Sequence, residues 1–446
     1  MAARSHSKTG STLTRGRTKR VLKVGELATS VGSSYVIEAL KWPFRSAGER
    51  QQGLLDTHIR NAIKLVERSK ELKGAFMKLV QMLSMRDDIL PPQALAVLSV
   101  VQSKVPPMDY ALIREQVRRE LGKYPEALFE HFAEHAFAAA SLGQVHAAQL
   151  PGGETVVVKV QYPGVEQTVN EDLQNIKALL RTFALIGRDV MRQRVDPSEV
   201  YKELEERLHE EIDYVNEAKN IALFQKIFRD DDEIIIPQVY PDFSSRRVLT
   251  MSRIDGYPLA DILGPGVDQE LKDWVAIKYF RTVWRQVFEF GVLHTDPHPG
   301  NYLVTFHPKL AILDFGSIRI FPEPIRGAYH RLARAILARD EATMADCCVR
   351  LGFLDRGDDP KAIVRILYII FEPVLADRRY DPRDFKSVEK GMEVASIGFE
   401  ARLFKTPGHR VFLARALMGL DAYLKQLGTV INWHREFKAC VERVHA

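Results

Sequence analysis

Residues 291–316, GVLHTDPHPGNYLVTFHPKLAILDFG, carry acidic and amide side chains at fixed intervals. One residue separates His294 from Asp296, Asn301 follows Asp296 by five positions, and Asp314 follows Asn301 by thirteen. The structural alternative is a proline-rich turn whose aspartate and histidine only cap backbone groups. The asparagine and the D-F-G sequence, in register with the first pair, favour a functional site.

This spacing matches enzymes that transfer phosphoryl groups in the manner of protein kinases, H-x-D-x-x-x-x-N followed by D-F-G. There the first aspartate orients the acceptor hydroxyl, and the asparagine and second aspartate hold Mg²⁺ against the phosphates. The prolines and glycine between Asp296 and Asn301 exclude a helix, and residues 310–313 (LAIL) predict a short buried strand before Asp314. We predict Asp296 as the catalytic residue and Asn301 and Asp314 as metal ligands, with ATP and Mg²⁺ as cofactors.

A β-hairpin is predicted upstream, because the runs QVHAAQL and ETVVVKVQY flank the turn Pro-Gly-Gly over residues 144–162. Strand alternation sends Val157 and Lys159 to the face opposite the three valines Val156, Val158 and Val160. In a kinase-like lobe this lysine binds the α and β phosphates of ATP. A lysine on a solvated sheet face is the alternative that the strand alone leaves open.

A helix predicted from about residue 197 to residue 228 supplies a partner for that lysine. Glu217 lies among apolar residues at helical spacing, namely Tyr214, Ile221 and Phe224. An unpaired charge on an apolar face is costly, so we predict that Glu217 pairs with Lys159. Most other acids of this helix form its solvated side.

The run AAASLGQ, which begins at Ala138, precedes the hairpin where a kinase carries its glycine-rich phosphate loop. Backbone amides of such a turn can bind phosphate, although alanine restricts positive φ. We predict that four consecutive residues contact the nucleotide: Ala138, Ala139, Ala140 and Ser141.

Together these motifs resemble the UbiB/AarF atypical kinase-like family from about residue 54 to residue 316. The shared motifs are AAASLGQVH, VVVKVQYPGV, an E-x-D-Y-x-x-E-A-x-N run from Glu211 to Asn220, and HTDPHPGN with DFG. The resemblance implies an α+β, bilobal protein-kinase-like fold with a small antiparallel-sheet N-lobe, a helical C-lobe and an N-terminal helical extension. It also implies a lipid-linked role, including support of ubiquinone biosynthesis.

The family's signature K-x-G-Q helix is matched by KLVQ, beginning at Lys78, with Val80 in place of the glycine. In relatives this helix packs over the active site, its lysine meets the E-x-D acids, and it blocks the channel of a protein substrate. The resemblance therefore implies a regulatory role for Lys78 and Gln81 with the acids Glu211 and Asp213. Val80 is a departure that changes how closely the helix packs.

The resemblance also places a hinge at residues 251–256, where Met251 and Arg253 contact adenine. Val157 stands where kinases usually place an alanine over the base. Thr295 replaces the arginine of H-R-D, and about six residues separate Gly316 from the next helical pattern, with no A-P-E sequence. Phosphorylation of protein substrates is therefore not expected.

The composition, 446 residues with 46% hydrophobic and 27% charged, is that of a compact globular enzyme. No apolar run reaches the roughly 18 residues of a membrane span. The three cysteines, Cys347, Cys348 and Cys440, show no metal-ligand spacing, which fits a reducing compartment. We expect a cytoplasmic protein with peripheral membrane contact, on the matrix side of the mitochondrion if the protein is organellar.

Charge is concentrated at the N-terminus, where residues 1–25 hold seven basic side chains and no acid, against a net charge of +5 for the chain. Binding to anionic membrane lipids, a transit peptide and a merely solubilising tail remain open. Nucleic-acid binding is not expected, because no aromatic residues alternate with the basic ones.

The sequence divides into a basic tail (1–25), a helical extension (26–125), a kinase-like N-lobe (126–256) and a helical C-lobe (257–446). The favoured function is an ATPase, or a phosphotransferase acting on small or lipid-like acceptors, whose partners are ATP, ADP and isoprenoid lipid intermediates. One alternative is a small-molecule phosphotransferase resembling aminoglycoside and choline kinases. Another is a nucleotide-gated scaffold that binds a lipid or protein without turnover.

Overall fold

The computed structural model describes most of the chain, with gaps: residues 9–72, 76, 79–80, 92–98, 108–140, 142–190, 197–296, 299–401, 403 and 408–444. These residues form two compact units. The first unit comprises Met1–Val215 and Tyr240–Met251, and the second comprises Asn216–Val239 and Ser252–Ala446. Long helices and small, mostly antiparallel sheets confirm the predicted α+β class.

Helices dominate the first unit: α1 (Thr9–Leu40), α2 (Ala47–Leu72), α3 (Pro92–Leu98), α4 (Tyr110–Leu121), α5 (Pro125–Leu128), α6 (Val165–Val190) and α7 (Pro197–Glu211). Their boundaries follow local chemistry, as at α4, where the Asp109 side chain accepts from Ala111 N and Gly122 ends the helix at φ 79°. A buried apolar cluster joins α1, α2, α3, α6 and α7 and includes Phe76, Leu79 and Val80.

The sheet of the first unit contains β1 (His131–Phe132), β2 (Ala138–Ala140), β3 (Gly143–Gln149), β4 (Thr155–Gln161) and β6 (Val248–Ser252). Its order is β1-β3-β4-β6, with β2 paired to β3. Val156, Val158 and Val160 are fully buried, whereas Val157 and Lys159 are half-buried. The predicted hairpin and the predicted faces of β4 are thereby confirmed.

The prediction of one continuous helix over residues 197–228 was wrong. The chain breaks after α7, and α8 (Tyr214–Ile227) begins behind Asp213, whose carboxylate accepts from Val215 N at 3.1 Å. The side chain of Gln161 also donates to the backbone oxygen of Ile212 at 2.7 Å. The local bond of Asp213 and the long-range bond of Gln161 both compete with continuation of the helix.

The second unit contains two small sheets. One has the order β5 (Ile234–Ile235), β10 (Leu310–Ile312), β9 (Tyr302–Val304) and β7 (Tyr257–Pro258), and the other pairs β8 (Val292–His294) with β11 (Ile318–Ile320). β5 and β10 are parallel, whereas the other pairs are antiparallel. β10 is fully buried, as the pattern LAIL predicted.

The helices of the second unit, after α8, are α9 (Leu259–Ile262), α10 (Gln269–Arg285), α11 (Glu323–Ala338), α12 (Glu341–Arg350), α13 (Lys361–Ile370), α14 (Ser387–Glu400), α15 (Gly408–Leu427) and α16 (Trp433–Glu442). The helix α10 continues into a π-helical turn, Gln286–Phe290. Short 3₁₀ segments occupy Trp42–Phe44, Pro241–Phe243, Pro299–Asn301, Glu372–Val374 and Pro382–Asp384. Aromatic packing, such as Trp284 against Phe437 at 4.8 Å between ring centroids, builds the core.

The segment Asn216–Val239 clusters with the second unit, whereas the division made from the sequence assigns these residues to the N-lobe. Part of the reason is ionic, because Asp231 pairs with Lys278 (2.7 Å) and with Arg285 on α10. The Asp231 side chain is only 10% exposed, so these are largely desolvated ion pairs. The segment that follows α8 is therefore tied to α10 within its own unit.

Candidate active site

The loop after β8 brings Asp296 and Asn301 together. Asn301 lies in the 3₁₀ turn Pro299–Asn301, and its Nδ2 donates to the backbone oxygen of Asp296 at 3.0 Å and to Asp296 Oδ2 at 3.3 Å. At the start of the loop, His294 N donates to Gln286 Oε1 at 2.7 Å. The two residues predicted from the H-x-D-x-x-x-x-N spacing are thus direct neighbours.

Two buried tyrosines lie near Asp296, and the sequence reasoning did not identify them. Tyr302 begins β9 and is 1% exposed, and its ring lies edge-on at 4.9 Å from that of Tyr279 on α10. Burial, and then the negative charge of Asp296, raises the pKa of Tyr302. Burial also raises the pKa of Tyr279, with further contributions from Tyr302, Tyr423 and Asp296. Both phenols are therefore protonated at neutral pH.

The backbone around Asp314 is fixed by hydrogen bonds from the same unit. His294 Nε2 bonds the backbone oxygen of Asp314, and its Nδ1 accepts from Asp296 N at 3.3 Å. Gly316 N donates to Asp314 Oδ1 at 2.9 Å, and Leu313 N donates to Asn301 O at 2.9 Å. This pattern assigns the proton of His294 to Nε2 and connects the Asp296 loop to the D-F-G sequence.

Phe315 is fully buried between two aromatic side chains. Its ring centroid lies 5.1 Å from that of Phe224 on α8 and 6.3 Å from that of His294. On the same helix, Asn220 Nδ2 donates to the backbone oxygen of Phe315 at 2.8 Å. Helix α8 is therefore joined to the D-F-G sequence by both packing and a hydrogen bond.

Glu217 also lies on α8 and is only 2% exposed, while Ile221 and Phe224 are fully buried. The helical spacing had indicated this buried setting for Glu217. The structure thus assigns Glu217, Asp296, Asn301 and Asp314 to one compact unit.

The remaining predicted nucleotide ligands belong mainly to the first unit. The Lys159 amine lies 5.0 Å from the ring centroid of Tyr214. The alanine run forms β2, with Ala138 opposite Val145 and Ala140 opposite Gly143, while Ser141 lies outside the described residues. Three of the four phosphate-loop candidates are therefore paired residues of a strand and do not form an open loop.

The strand next to that connection is held by a polar pair that the sequence reasoning missed. Gln144 Oε1 accepts from Met108 N at 2.8 Å, and its Nε2 donates to His146 Nε2 at 2.9 Å. His146 Nδ1 then donates to Ala133 O at 2.7 Å, and burial lowers the pKa of His146. The sequence signal for this pair was a glutamine and a histidine two positions apart, hence on the same face of a strand whose other residues are mostly small.

The predicted hinge and regulatory residues have these positions. Met251 is buried in β6, whereas Arg253 is exposed and donates to Asp255 Oδ1 at 2.8 Å. Glu211 ends α7 and Asp213 caps α8. Lys78 and Gln81 lie outside the described residues, but Val80 between them is fully buried. Its side chain fills core volume that the family's glycine would leave free.

The donor set suits a hard cation. Asn301 and Asp314 present amide and carboxylate oxygens, which Mg²⁺ prefers, in a half-buried setting. Within the described part of the chain, no group of three or more His, Cys, Asp or Glu side chains could hold a metal ion. A magnesium ion here would therefore need phosphate and water oxygens to complete its shell, as ATP-bound Mg²⁺ has.

Among the described residues, no helix is long and apolar enough to cross a membrane. The cysteines Cys347, Cys348 and Cys440 are buried free thiols.

Comparison with protein families gives one family model, described as the ABC1 atypical kinase-like domain, that matches residues 100–348. The mitochondrial atypical kinase COQ8 of Saccharomyces cerevisiae is 26% identical over 429 residues, covering 95% of this chain and 84% of the yeast protein. The mitochondrial atypical kinase COQ8B of Danio rerio is 28% identical over 412 residues, covering 90% of this chain and 65% of that protein. The chloroplastic Activity of BC1 Complex Kinase 3 of Arabidopsis thaliana is 33% identical over 376 residues.

This match covers 84% of the present chain but only 52% of the length of the Arabidopsis protein. Among solved structures, that of Rv3197 of Mycobacterium tuberculosis, determined as a complex with erythromycin, gives a TM-score of 0.62 at 24% identity. The superposition covers 88% of this chain and 97% of that chain. This likeness, with the family match, confirms the protein-kinase-like fold class predicted from the sequence.

Proposed function

The chain belongs to the ABC1 atypical kinase-like family, and we propose that it binds ATP with Mg²⁺ and acts as an ATPase or as a phosphotransferase with a small or lipid-like acceptor. The observation that carries this proposal is the assembly of Asp296, Asn301 and Asp314. Asn301 bonds the backbone oxygen and the carboxylate of Asp296. His294 bonds the backbone groups of Asp296 and Asp314, so the three residue types that phosphoryl transfer uses belong to one hydrogen-bonded network.

In this proposal Asp296 orients a water molecule or an acceptor hydroxyl, and Asn301 and Asp314 hold Mg²⁺. Lys159 binds the phosphates and pairs with Glu217. Two observations support this pairing. Lys159 lies on the less buried face of β4, and Glu217 is nearly fully buried, where a carboxylate requires compensation.

The remaining nucleotide contacts are assigned to two short segments. Backbone amides of Ala138, Ala139, Ala140 and Ser141 contact the phosphates, and the segment from Met251 to Arg253, with Val157, contacts the base. The strand register supports the first assignment, because Ala138 on β2 and Lys159 on β4 both lie opposite Val145 of β3.

A regulatory contact is part of the proposal. Lys78 and Gln81 act with Glu211 and Asp213 to restrict access to the site, and Val80, which lies between them in the sequence, is buried in the core of the first unit. Lys78→Ala should then change the rate of nucleotide turnover or the choice of acceptor. Turnover and phosphotransfer both equal to those of the wild type would contradict this role.

We further propose that the protein supports isoprenoid lipid metabolism of the ubiquinone type at a membrane surface. Two relatives are mitochondrial atypical kinases by name, and one is chloroplastic. The second support is a set of exposed apolar side chains on α1 and the 3₁₀ segment that follows it: Leu22, Ile37, Leu40 and Phe44 are 61%, 53%, 69% and 90% exposed. With the basic N-terminal segment, such side chains suit the interface of an anionic membrane.

ATP turnover by the purified protein tests the proposal, measured with and without Mg²⁺, anionic liposomes and phenolic lipid precursors. We expect Mg²⁺-dependent turnover that liposomes stimulate and that Asp296→Asn abolishes. Glu270→Gln, an exposed acid on α10, is the matched control and should behave as the wild type. Phosphorylation of a water-soluble alcohol would favour the aminoglycoside and choline kinase type. Nucleotide binding without any turnover would favour a scaffold and overturn the enzymatic proposal.

A further inference from the structure

The D-F-G sequence is connected to helix α8 by a hydrogen bond that the phosphoryl-transfer template does not include. Asn220 lies three residues after Glu217, close to one helical turn, so the two side chains share one side of α8. Its Nδ2 donates to the backbone oxygen of Phe315 at 2.8 Å. Both residues belong to the second unit.

The peptide group that accepts this hydrogen bond also contacts the metal-ligand candidate. The peptide bond between Phe315 and Gly316 is planar, so its C=O and N–H groups point in opposite directions. The oxygen faces Asn220, and the N–H of Gly316 donates to Asp314 Oδ1 at 2.9 Å. Asn220 therefore fixes the plane of a peptide whose other side orients the Asp314 carboxylate.

Neighbouring residues restrain the same segment. Phe224, one turn further along α8, packs edge-on against Phe315 at 5.1 Å. After the D-F-G sequence, Thr295 N donates to Ser317 O at 3.0 Å, and the two hydroxyl oxygens lie 2.6 Å apart. Thr295 occupies the position where H-R-D kinases carry an arginine that pairs with a phosphorylated loop. The segment is thus held here by neutral hydrogen bonds to Thr295, the residue that follows β8.

We propose that Asn220 is a positioning residue for Asp314, and that it joins the helix of Glu217 to the D-F-G sequence as one block. Movement of α8 away from the D-F-G sequence would break the Asn220 bond and leave the buried Phe315 carbonyl without its donor, which is costly. In this proposal the Asp314 carboxylate is oriented by hydrogen bonds within the second unit that involve no phosphorylated residue. This inference rests on the proposed function, because it assigns Mg²⁺ and ATP to Asp314.

The test is a Mg²⁺ titration of ATP binding by calorimetry, comparing the wild type with Asn220→Asp. The variant keeps the size of the side chain but places an oxygen against the Phe315 carbonyl. We expect the Mg²⁺ concentration for half-maximal ATP binding to rise about 10- to 100-fold, the usual effect of losing a residue that orients a metal ligand. Lys219→Ala, an exposed neighbour on α8, is the matched control and should leave it unchanged.

A double-mutant cycle separates positioning from general destabilisation. In an Asp314→Asn background, Asn220→Asp should cause no further change in the Mg²⁺ dependence, because the oriented carboxylate is already absent. Independent, additive effects would overturn the positioning role, as would Asn220→Asp with the Mg²⁺ dependence of the wild type. If Asn220→Asp does not fold, Asn220→Ala, which removes the donor without adding charge, is measured in the same Mg²⁺ titration and double-mutant cycle. A wild type that binds no Mg²⁺-ATP would instead overturn the proposed function.

Discussion

The side-chain amide of Asn301 bonds both the backbone oxygen and the carboxylate of Asp296, at 3.0 and 3.3 Å. In the proposed site, Asn301 Nδ2 orients Asp296 while Asn301 Oδ1 is available to a metal ion. A single side chain thus couples the catalytic residue to the metal.

Asn301→Ala should therefore lower kcat and also raise the Mg²⁺ concentration that gives half-maximal turnover. We expect a loss of about 100-fold in kcat, the size of effect that a misplacement of about 1 Å can have. Steady-state kinetics at saturating ATP measures it, with Asn170→Ala, an exposed residue on α6, as the control. Equal kcat values for Asn301→Ala and the wild type would show that Asp296 needs no such support.

Gly143 has no room for a side chain. A Cβ there would lie 2.4 Å from the backbone oxygen of Val160 and 3.0 Å from the Tyr214 hydroxyl. Gly143→Ala should cost about 1–3 kcal/mol of unfolding free energy, since β3 and β4 must separate to admit it. Thermal denaturation should show a lower midpoint. The control Gly25→Ala adds a Cβ that meets nothing within 4 Å and should not lower the midpoint. Equal midpoints for both variants would argue against this close contact.

The buried ion pairs of Asp231 make stability sensitive to acid. Burial by itself raises the pKa of Asp231, but hydrogen bonds and charges from Lys278 and Arg285 outweigh it, so the pKa is lowered. A lowered pKa in the folded state means that the stabilisation is present above the ordinary value of about 3.9 and is lost as the pH falls through the folded value.

Asp231→Asn should therefore destabilise the protein at neutral pH by about 1–3 kcal/mol, because Lys278 and Arg285 each lose one of two carboxylate partners and keep Glu233 and Glu289 respectively. The variant should also lose less stability than the wild type between pH 5 and about pH 2, as measured by urea denaturation. Glu323→Gln, which removes an exposed partner of Arg326, should change neither quantity measurably. Parallel acid profiles for Asp231→Asn and the wild type would contradict the prediction.

The exposed apolar side chains of α1 and of the 3₁₀ segment after it predict a defined defect in membrane binding. Phe44→Ser and Leu40→Ser should each weaken association with anionic vesicles about tenfold or more, because each removes an apolar side chain that the interface would bury. Vesicle co-sedimentation measures the effect. The control is Phe306→Ser in the second unit, which removes an equally apolar side chain that is 66% exposed. Equal losses for Phe306→Ser and Phe44→Ser would indicate that no particular face binds lipid.

Sequence patterns predicted the local features that a single short segment of the chain determines. The period-2 alternation of VVVKV gave the faces of β4, and the spacing of Ile221 and Phe224 gave the buried setting of Glu217. The H-x-D-x-x-x-x-N pattern predicted the contact of Asn301 with Asp296 because only four residues separate the two.

Contacts between distant segments were not readable from those patterns. The break before α8 depends partly on Gln161 from β4, and the role of Asn220 depends on a carbonyl 95 residues later. Gln161 and Asn220 are polar residues of the same kind as the solvated residues near them in the sequence, so nothing marked them out. Tyr302 and Tyr279 were missed for the same reason, since their pairing is set by how α10 packs on β9.

The most direct test of the account is equilibrium binding of ATP to the wild type and to Asp314→Asn, with Mg²⁺ and in excess chelator. The account predicts that Mg²⁺ strengthens ATP binding to the wild type by more than tenfold and gives no such gain in Asp314→Asn. An equal gain from Mg²⁺ in both proteins would contradict it, because the metal would then be held elsewhere.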